Sequence, residues 1–322
     1  MNYLERYLFW MKDRRPDFGG LRIGIDCSNG MASILVHELF PNAVIINDTL
    51  DGTFPNHSPN PLKEEAREQI AALVREKKLD CGVIFDGDAD RCMFVDKKGD
   101  FVQPDYLIPI VARATLDSNT QNLKTSKPPK IIHDVRTSRG AIEELRRMGC
   151  EPVMVPVGHA FAKPILRKIG AVCGGELAGH YYFSEFHGCD SGVLAALRIL
   201  GEIAKAKASG KTFSEMMRPI SGVYANSGEM NFKVEDPPSL KLRRAGKDGK
   251  DLAIDRVLAC AAAELPRELS RSEIDGIRIE YAEGWVNIRK SNTEPYLRLI
   301  VECDTAERLK GWTRILKTAV EP

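Results

Sequence analysis

The chain has 322 residues, of which 43% are hydrophobic and 28% charged, and its net charge is +1. That length exceeds one ordinary core and calls for two or three globular domains. Lys and Arg are scattered without a basic stripe, which argues against a nucleic-acid partner, and no apolar run is long enough to span a membrane.

The opening, MNYLERYLFWMKDRR, mixes aromatics and charges at helical spacing, so an amphipathic helix is expected over 3–14. It lacks the apolar stretch and cleavage site of a signal peptide. The eight cysteines form no C-x-x-C pair and mostly lie in apolar segments. Reduced, buried thiols in a cytoplasmic protein are the expectation.

Leu21–Ile25 reads as a strand ending in the turn Asp26–Gly30, followed by a helix over 31–39. Ala43–Ile46 is a second strand. Gly52-Thr-Phe-Pro-Asn-His-Ser-Pro-Asn-Pro61 carries three prolines and reads as a rigid surface loop with no assignable chemistry. A helix is expected over 62–77. The apolar run Gly82–Phe85 then reads as a buried third strand.

That strand delivers Asp86, Asp88 and Asp90 at alternate positions, with Arg91 next. Carboxylates crowded this closely repel one another, and a hard divalent cation removes that cost. Arg91 adds a permanent cation where a phosphate needs one. The pattern points to a metal site for phosphoryl chemistry. An EF-hand fails, because its twelfth position must be Glu and here it is Lys97. A solvated acidic turn stays open at this point. So does a haloacid-dehalogenase-type phosphatase with Asp86 as nucleophile and Asp88 as acid.

The Ser/Asn/Lys/Pro-rich stretch Ser118–Pro129 reads as a linker, and the pattern then restarts. A strand over Ile131–Val135, a turn through Arg136, and a helix over 141–148 precede a strand over 152–156 and a helix over 161–168. Strand, Asp, small polar turn and helix thus occur twice, which suggests an internal duplication of a βαβαβ unit. Gly158-His159 sits where a strand yields to a helix. It is either an anion-binding N-terminus or a simple cap. Gly174-Gly-Glu-Leu-Ala-Gly-His180 combines close backbone approach with an acceptor, Glu176, and a switchable donor, His180. Sugar hydroxyls need that mixture, and a tight polar turn is the alternative.

From about Val223 the composition changes to loops, with Lys241–Asp251 expected as an exposed insertion. Gly276–Glu280, Gly284–Ile288 and Tyr296–Val301 alternate like antiparallel strands, and a helix over 306–318 closes a smaller α+β domain. Between two of these strands, Arg289-Lys-Ser-Asn-Thr-Glu-Pro295 packs a guanidinium, hydroxyls and an amide into a phosphate cradle.

The stretches GTFPNHSPNP, FDGDADR, VGHAFAK, GGELAGH and RKSNTEP together resemble the α-D-phosphohexomutase family, in its phosphomannomutase/phosphoglucomutase branch. The resemblance runs essentially from end to end, in the family's order, and it displaces the dehalogenase-type reading. It implies two related α/β domains, over 1–103 and 104–222, followed by a smaller α+β domain over 223–322. It implies Mg²⁺ on Asp86, Asp88 and Asp90, with Arg91 beside the phosphorylated enzyme group. Arg136 falls at a basic position associated with acid–base assistance.

By the same resemblance, Glu176 and His180 grip sugar hydroxyls, and Gly158, His159 and Lys163 lie near the substrate. Arg289, Ser291, Asn292 and Thr293 hold its phosphate. The implied substrates are mannose or glucose 1- and 6-phosphates. Ala178 and Val157 replace a serine and a threonine common in the family, so one hydroxyl contact is expected to be lost.

The family's first domain, which carries a phosphoserine nucleophile in a Thr-Ala-Ser-His-Asn-Pro-type loop, has no match in the chain. Without that serine, binding is expected to persist and turnover is not. A separate first-domain polypeptide, or self-association, is the implied partner. The alternative is a non-catalytic hexose-phosphate binder or regulator.

Overall fold

Strands β1 (Ile23–Asp26), β2 (Val44–Ile46) and β3 (Cys81–Phe85) lie parallel with β1 between its partners. β4 (Cys92–Asp96) and β5 (Phe101–Val102) extend the sheet antiparallel, in the order β2-β1-β3-β4-β5. β1, β3 and β4 are buried throughout, because the sheet is covered on both faces. Val83 and Phe85 face one core with Val36 and Leu39, while Ile84 faces another with Ile70 and Val74 of the helix Glu64–Lys77.

β6 (Lys130–Asp134), β7 (Glu151–Val155) and β8 (Cys173–Gly175) repeat the parallel core, and β9 (Tyr181–Phe183) and β10 (Cys189–Asp190) the antiparallel edge. The order β7-β6-β8-β9-β10 matches that of the first sheet strand for strand. The shared topology agrees with the duplication expected from the sequence. Both sheets belong to one unit, Met1–Ser221. Its long helix Gly192–Ala208 is buried continuously from Gly192 to Ala204.

Residues Gly222–Pro322 form a second unit. β11 (Ala225–Asn226) and β12 (Met230–Lys233) both pair with a long strand, β16 (Tyr296–Cys303). β13 (Ser270–Ser272), β14 (Ile277–Tyr281) and β15 (Gly284–Lys290) complete an antiparallel sheet. The helices Gly249–Glu264 and Ala306–Val320 cover one face through Val257, Ala261, Trp312 and Leu316.

This description rests on a computed structural model that covers residues 1–118, 127–234, 248–291 and 295–320. Several local expectations shift. The helix expected over 31–39 is a 3₁₀ turn, Met31–Ile34, and one helical turn, Val36–Leu39. The expected insertion over 241–251 ends in a helix start, because Asp248 and Asp251 form a capping box. Its first seven residues lie outside the described residues, as does most of the expected linker. All eight cysteines are free thiols, six of them buried. No described helix is long and apolar enough to cross a membrane.

Candidate functional site

The aspartate loop begins where β3 ends. Ala89 N donates to the Asp86 carbonyl at 3.2 Å, which closes a tight turn with Ala89 itself in the left-handed region at φ 62°. The carboxylates of Asp86, Asp88 and Asp90 offer oxygens that all lie within 4.8 Å of one another. Asp86 is buried, with Oδ1 accepting from the Arg91 backbone at 3.1 Å and Oδ2 from Arg91 Nε at 2.6 Å. Asp88 is exposed.

Asp90 Oδ1 is buried without a hydrogen-bond partner among the described residues. Burial pushes the Asp90 carboxyl up to about 7, His180 opposing and Asp86 and Asp88 adding their repulsion. An orphaned buried carboxylate oxygen in an all-oxygen cluster fits a hard divalent cation. When bound, such a cation supplies charge neutralisation for a phosphoryl group.

The loop Gly174–His180 is joined to the aspartate loop by backbone. Arg91 and His180 form an antiparallel bridge, and Cys92 N donates to the Gly179 carbonyl at 3.2 Å. Gly192 lets the buried helix start against this junction, because a Cβ there would meet the Arg91 carbonyl at 2.6 Å. His180 Nδ1 lies 3.0 Å from Asp190 Oδ2 and 3.5 Å from Asp90 Oδ2. Burial alone would lower the His180 pKa, yet Asp190, Asp90 and Glu176 raise it. Lys163 Nζ closes the other side of Asp190 at 2.7 Å. His159 opens the helix His159–Ile169, its ring edge-on to His180 at 5.8 Å. Asp90, His180, His159, Lys163 and Asp190 therefore form one polar cluster.

Behind it lies a buried brace. Glu176 accepts from Gly158 N at 3.2 Å and from Tyr182 Oη at 2.5 Å, which ties the glycine loop to the helix N-terminus. Burial, and then Asp134, raise the Glu176 carboxyl. Arg136 binds Asp134 at 2.6 Å and lies 3.8 Å from Glu176 Oε2. Leu177 N also donates to Asp134, at 3.0 Å. Arg136 and Glu176 are both buried.

In the second unit, Arg289 and Arg298 face each other across β15 and β16. Glu229 holds both, at 3.0 Å to each guanidinium, and Arg298 also donates to Ser291 Oγ at 3.3 Å. Two guanidiniums and a hydroxyl thus gather around Ser291, donors of the kind a phosphate takes. Asn292 and Thr293 lie outside the described residues.

The sequence reading missed Asp190, Asp134, Tyr182 and Arg298. Asp190 had a usable signal, because Asp190-Ser191-Gly192 precedes an apolar run and Ser191 caps the helix. Arg298 could be paired with Arg289 only once the strand register was known.

Asp190 makes a direct prediction. Burial would push its carboxyl up, but His180 and Lys163 hold it at about 2. A depressed carboxyl stabilises the fold above its free value near 3.8 and loses that contribution as pH falls towards 2. Between those values the wild type is expected to lose on the order of 2 kcal/mol that Asp190→Asn does not lose. Urea unfolding at stepped pH reads the difference.

Comparison with known proteins matches the chain to three family models. Residues 2–99 match phosphoglucomutase/phosphomannomutase alpha/beta/alpha domain II, 103–221 match domain III, and 229–315 match the C-terminal domain. A phosphomannomutase of Methanocaldococcus jannaschii is 33% identical over 99% of this chain and 66% of its own length. One from Vibrio cholerae is 37% identical over 88% of this chain and 58% of its own. The chain thus spans less than two thirds of the length of these curated relatives. A phosphoglucomutase/phosphomannomutase family protein of Burkholderia thailandensis superimposes with a TM-score of 0.78 at 26% identity, over 98% of this chain and 64% of that one. An N-acetylphosphoglucosamine mutase of Aspergillus fumigatus, solved with GlcNAc-6P and magnesium, shares the fold with a TM-score of 0.64 at 15% identity, over 98% of this chain and 69% of that one.

Proposed function

The chain belongs to the α-D-phosphohexomutase family, and from that premise we propose that it supplies the metal-, sugar- and phosphate-binding parts of a mutase interconverting hexose 1- and 6-phosphates. The observation that carries this reading is the junction of the aspartate and glycine loops. Through the Arg91–His180 bridge, one backbone contact places a divalent-cation cluster beside a donor–acceptor cluster suited to sugar hydroxyls.

In this reading Asp86, Asp88 and Asp90 hold Mg²⁺, whose six-oxygen preference their carboxylates suit. Arg91, anchored on Asp86, presents its remaining N–H groups to a phosphoryl oxygen. His180 and Lys163, both on Asp190, contact sugar hydroxyls, with His159 nearby. Glu176 and Arg136 shape that pocket from behind. Arg289, Ser291, Asn292 and Thr293 bind a phosphate, and Arg298 joins them through its contact with Ser291.

The phosphoryl donor in such a cycle is a phosphoserine. Its P–O bond breaks as a sugar hydroxyl attacks, and the hydroxyl proton passes to a base. No serine loop of the family's type occurs in these 322 residues. We therefore place the nucleophile on a serine-bearing segment outside these 322 residues.

The test is an assay with mannose 1-phosphate, Mg²⁺ and a hexose bisphosphate. The chain is assayed alone and mixed with a polypeptide carrying the serine loop. Turnover is expected only in the mixture. Turnover by the chain alone would overturn the need for an added nucleophile. Calorimetric binding of hexose phosphates without turnover in either case would favour a non-catalytic binder, and absence of binding would sink the reading altogether.

A further inference from the structure

The loop Gly52–Pro61, which the chemistry above leaves unused, reaches the aspartate loop. Phe54 and Pro59 lie against Gly87, where an added Cβ would stand 3.2 and 3.4 Å from them. Asn60 Oδ1 accepts from Arg91 Nη1 at 3.3 Å. The loop is pinned at its centre by His57, whose Nε2 lies 3.1 Å from Asp26 Oδ2. Its Nδ1 lies 2.8 Å from the Ser58 carbonyl.

Both ring nitrogens therefore face groups that can only accept, so the imidazolium is the form that satisfies both. Asp26 in turn is fully buried. Its Oδ1 accepts from Ser28 N at 2.8 Å and from Asn47 Nδ2 at 3.0 Å. The turn it holds grips the aspartate loop from the other side. Ser28 Oγ donates to the Phe85 carbonyl at 2.6 Å and Met31 N to the Gly87 carbonyl at 2.9 Å.

The backbone around this hub is held in uncommon conformations. Ser28, Asn29, Asn47 and Phe54 all have φ between 50° and 54°. Left-handed geometry in a Phe persists only where surrounding contacts over-determine it.

We propose that the buried Asp26–His57 ion pair is the positioning device for the metal loop: it clamps the 52–61 loop so that Phe54, Pro59 and Asn60 hold Gly87 and Arg91 in the geometry that takes a divalent cation. Neither residue touches the metal loop's carboxylates; they act through the loops they anchor. The inference rests on the reading that Asp86, Asp88 and Asp90 bind the cation. Asp26 is the charged group acting on the His57 ring, and it raises the ring's pKa. Deprotonation removes one of the ring's two donors and loosens the clamp.

Mn²⁺ titration of the 322-residue chain, followed by electron paramagnetic resonance, tests this. The wild type is expected to bind one Mn²⁺ and Asp88→Asn to lose it. His57→Gln is expected to weaken Mn²⁺ on the order of tenfold, the lower end of what losing an outer partner of a metal ligand costs. Asn60→Ala, which removes the link to Arg91 together with the acceptor of Leu62 N and leaves the Asp26–His57 pair in place, is expected to weaken it several-fold.

Wild-type Mn²⁺ affinity in both His57→Gln and Asn60→Ala, with binding lost in Asp88→Asn, overturns the inference and leaves the metal reading standing. If His57→Gln does not fold, Asn60→Ala decides alone. No Mn²⁺ binding by the wild type overturns the metal reading itself.

Discussion

Replacing Asp90 by Asn is expected to raise the melting temperature of the metal-free chain at pH 8 while abolishing tight metal binding. The two effects share one cause. In the fold the Asp90 carboxyl titrates at about 7, raised from 3.8 by burial and by its neighbours Asp86 and Asp88 against the pull of His180. A raised acid favours the folded state only while protonated. Its contribution is complete below about pH 4 and is lost as pH rises through 7. At pH 8 the ionised side chain therefore burdens the fold.

Asn keeps the size and removes the charge. A gain on the order of 2 kcal/mol follows, which is several degrees for a unit of this size. The same charge is what a divalent cation uses. Its loss is expected to weaken Mn²⁺ binding by more than about 100-fold, beyond what removing a mere outer partner costs. Calorimetry in chelator and a Mn²⁺ titration give the two readings. A variant that melts lower and still binds Mn²⁺ would show that Asp90 is an ordinary surface carboxylate.

Trp285→Ala should be the most damaging single change in the second unit. Trp285 is fully buried on β15, and its Nε1–H donates to Glu302 Oε1 at 2.6 Å. The Arg278 guanidinium lies 3.7 Å from the centre of its ring, and Arg278 is itself 1% exposed. Glu302 is also buried, its other oxygen taken by Asn226 Nδ2 at 3.0 Å. Truncation leaves a large cavity, costing about 3–5 kcal/mol.

It also strips a donor from a buried carboxylate and the ring face from a buried cation, which add to that cost. A total above about 4 kcal/mol is comparable with the whole stability of a small domain. Chemical unfolding measures it. Trp285→Phe keeps one aromatic ring and loses the N–H and the second ring, so it should cost less than Trp285→Ala. A loss below about 1 kcal/mol in Trp285→Ala would show that the Arg278–Trp285–Glu302 stack contributes little.

The first-order organisation was legible in the chain because it is written in local patterns. Apolar runs of strand length ending in Asp, small-residue turns and helical spacing recur twice, and they correspond to β1–β3 and β6–β8. The short antiparallel strands β4 and β5 were not anticipated. They lie among charged and turn residues, and their pairing energy comes from a neighbouring strand that local pattern does not show. The helix expected over 31–39 is instead a 3₁₀ turn and one helical turn, with Ser33 N and Leu35 N bonded three residues back to the Gly30 and Ala32 carbonyls at 3.1 and 2.9 Å.

By itself the sequence determined which residues carry charge and donors, and where the turns that present them fall. The three aspartates, the Glu176–His180 loop and the Arg289 segment could all be named from residue type and spacing. Tertiary structure alone decided which of those groups face solvent and which are spent on one another. Arg136 is a plain basic residue in a turn of the sequence, and only the fold shows it buried against Asp134. Asp190 stands beside a helix-start signal that says nothing of its partners, yet it joins His180 to Lys163. His57 lies in a loop without evident chemistry, yet it is locked onto Asp26 beside the aspartate loop. A charge–charge or hydrogen-bond energy depends on separation and burial, and chain spacing sets neither across a sheet.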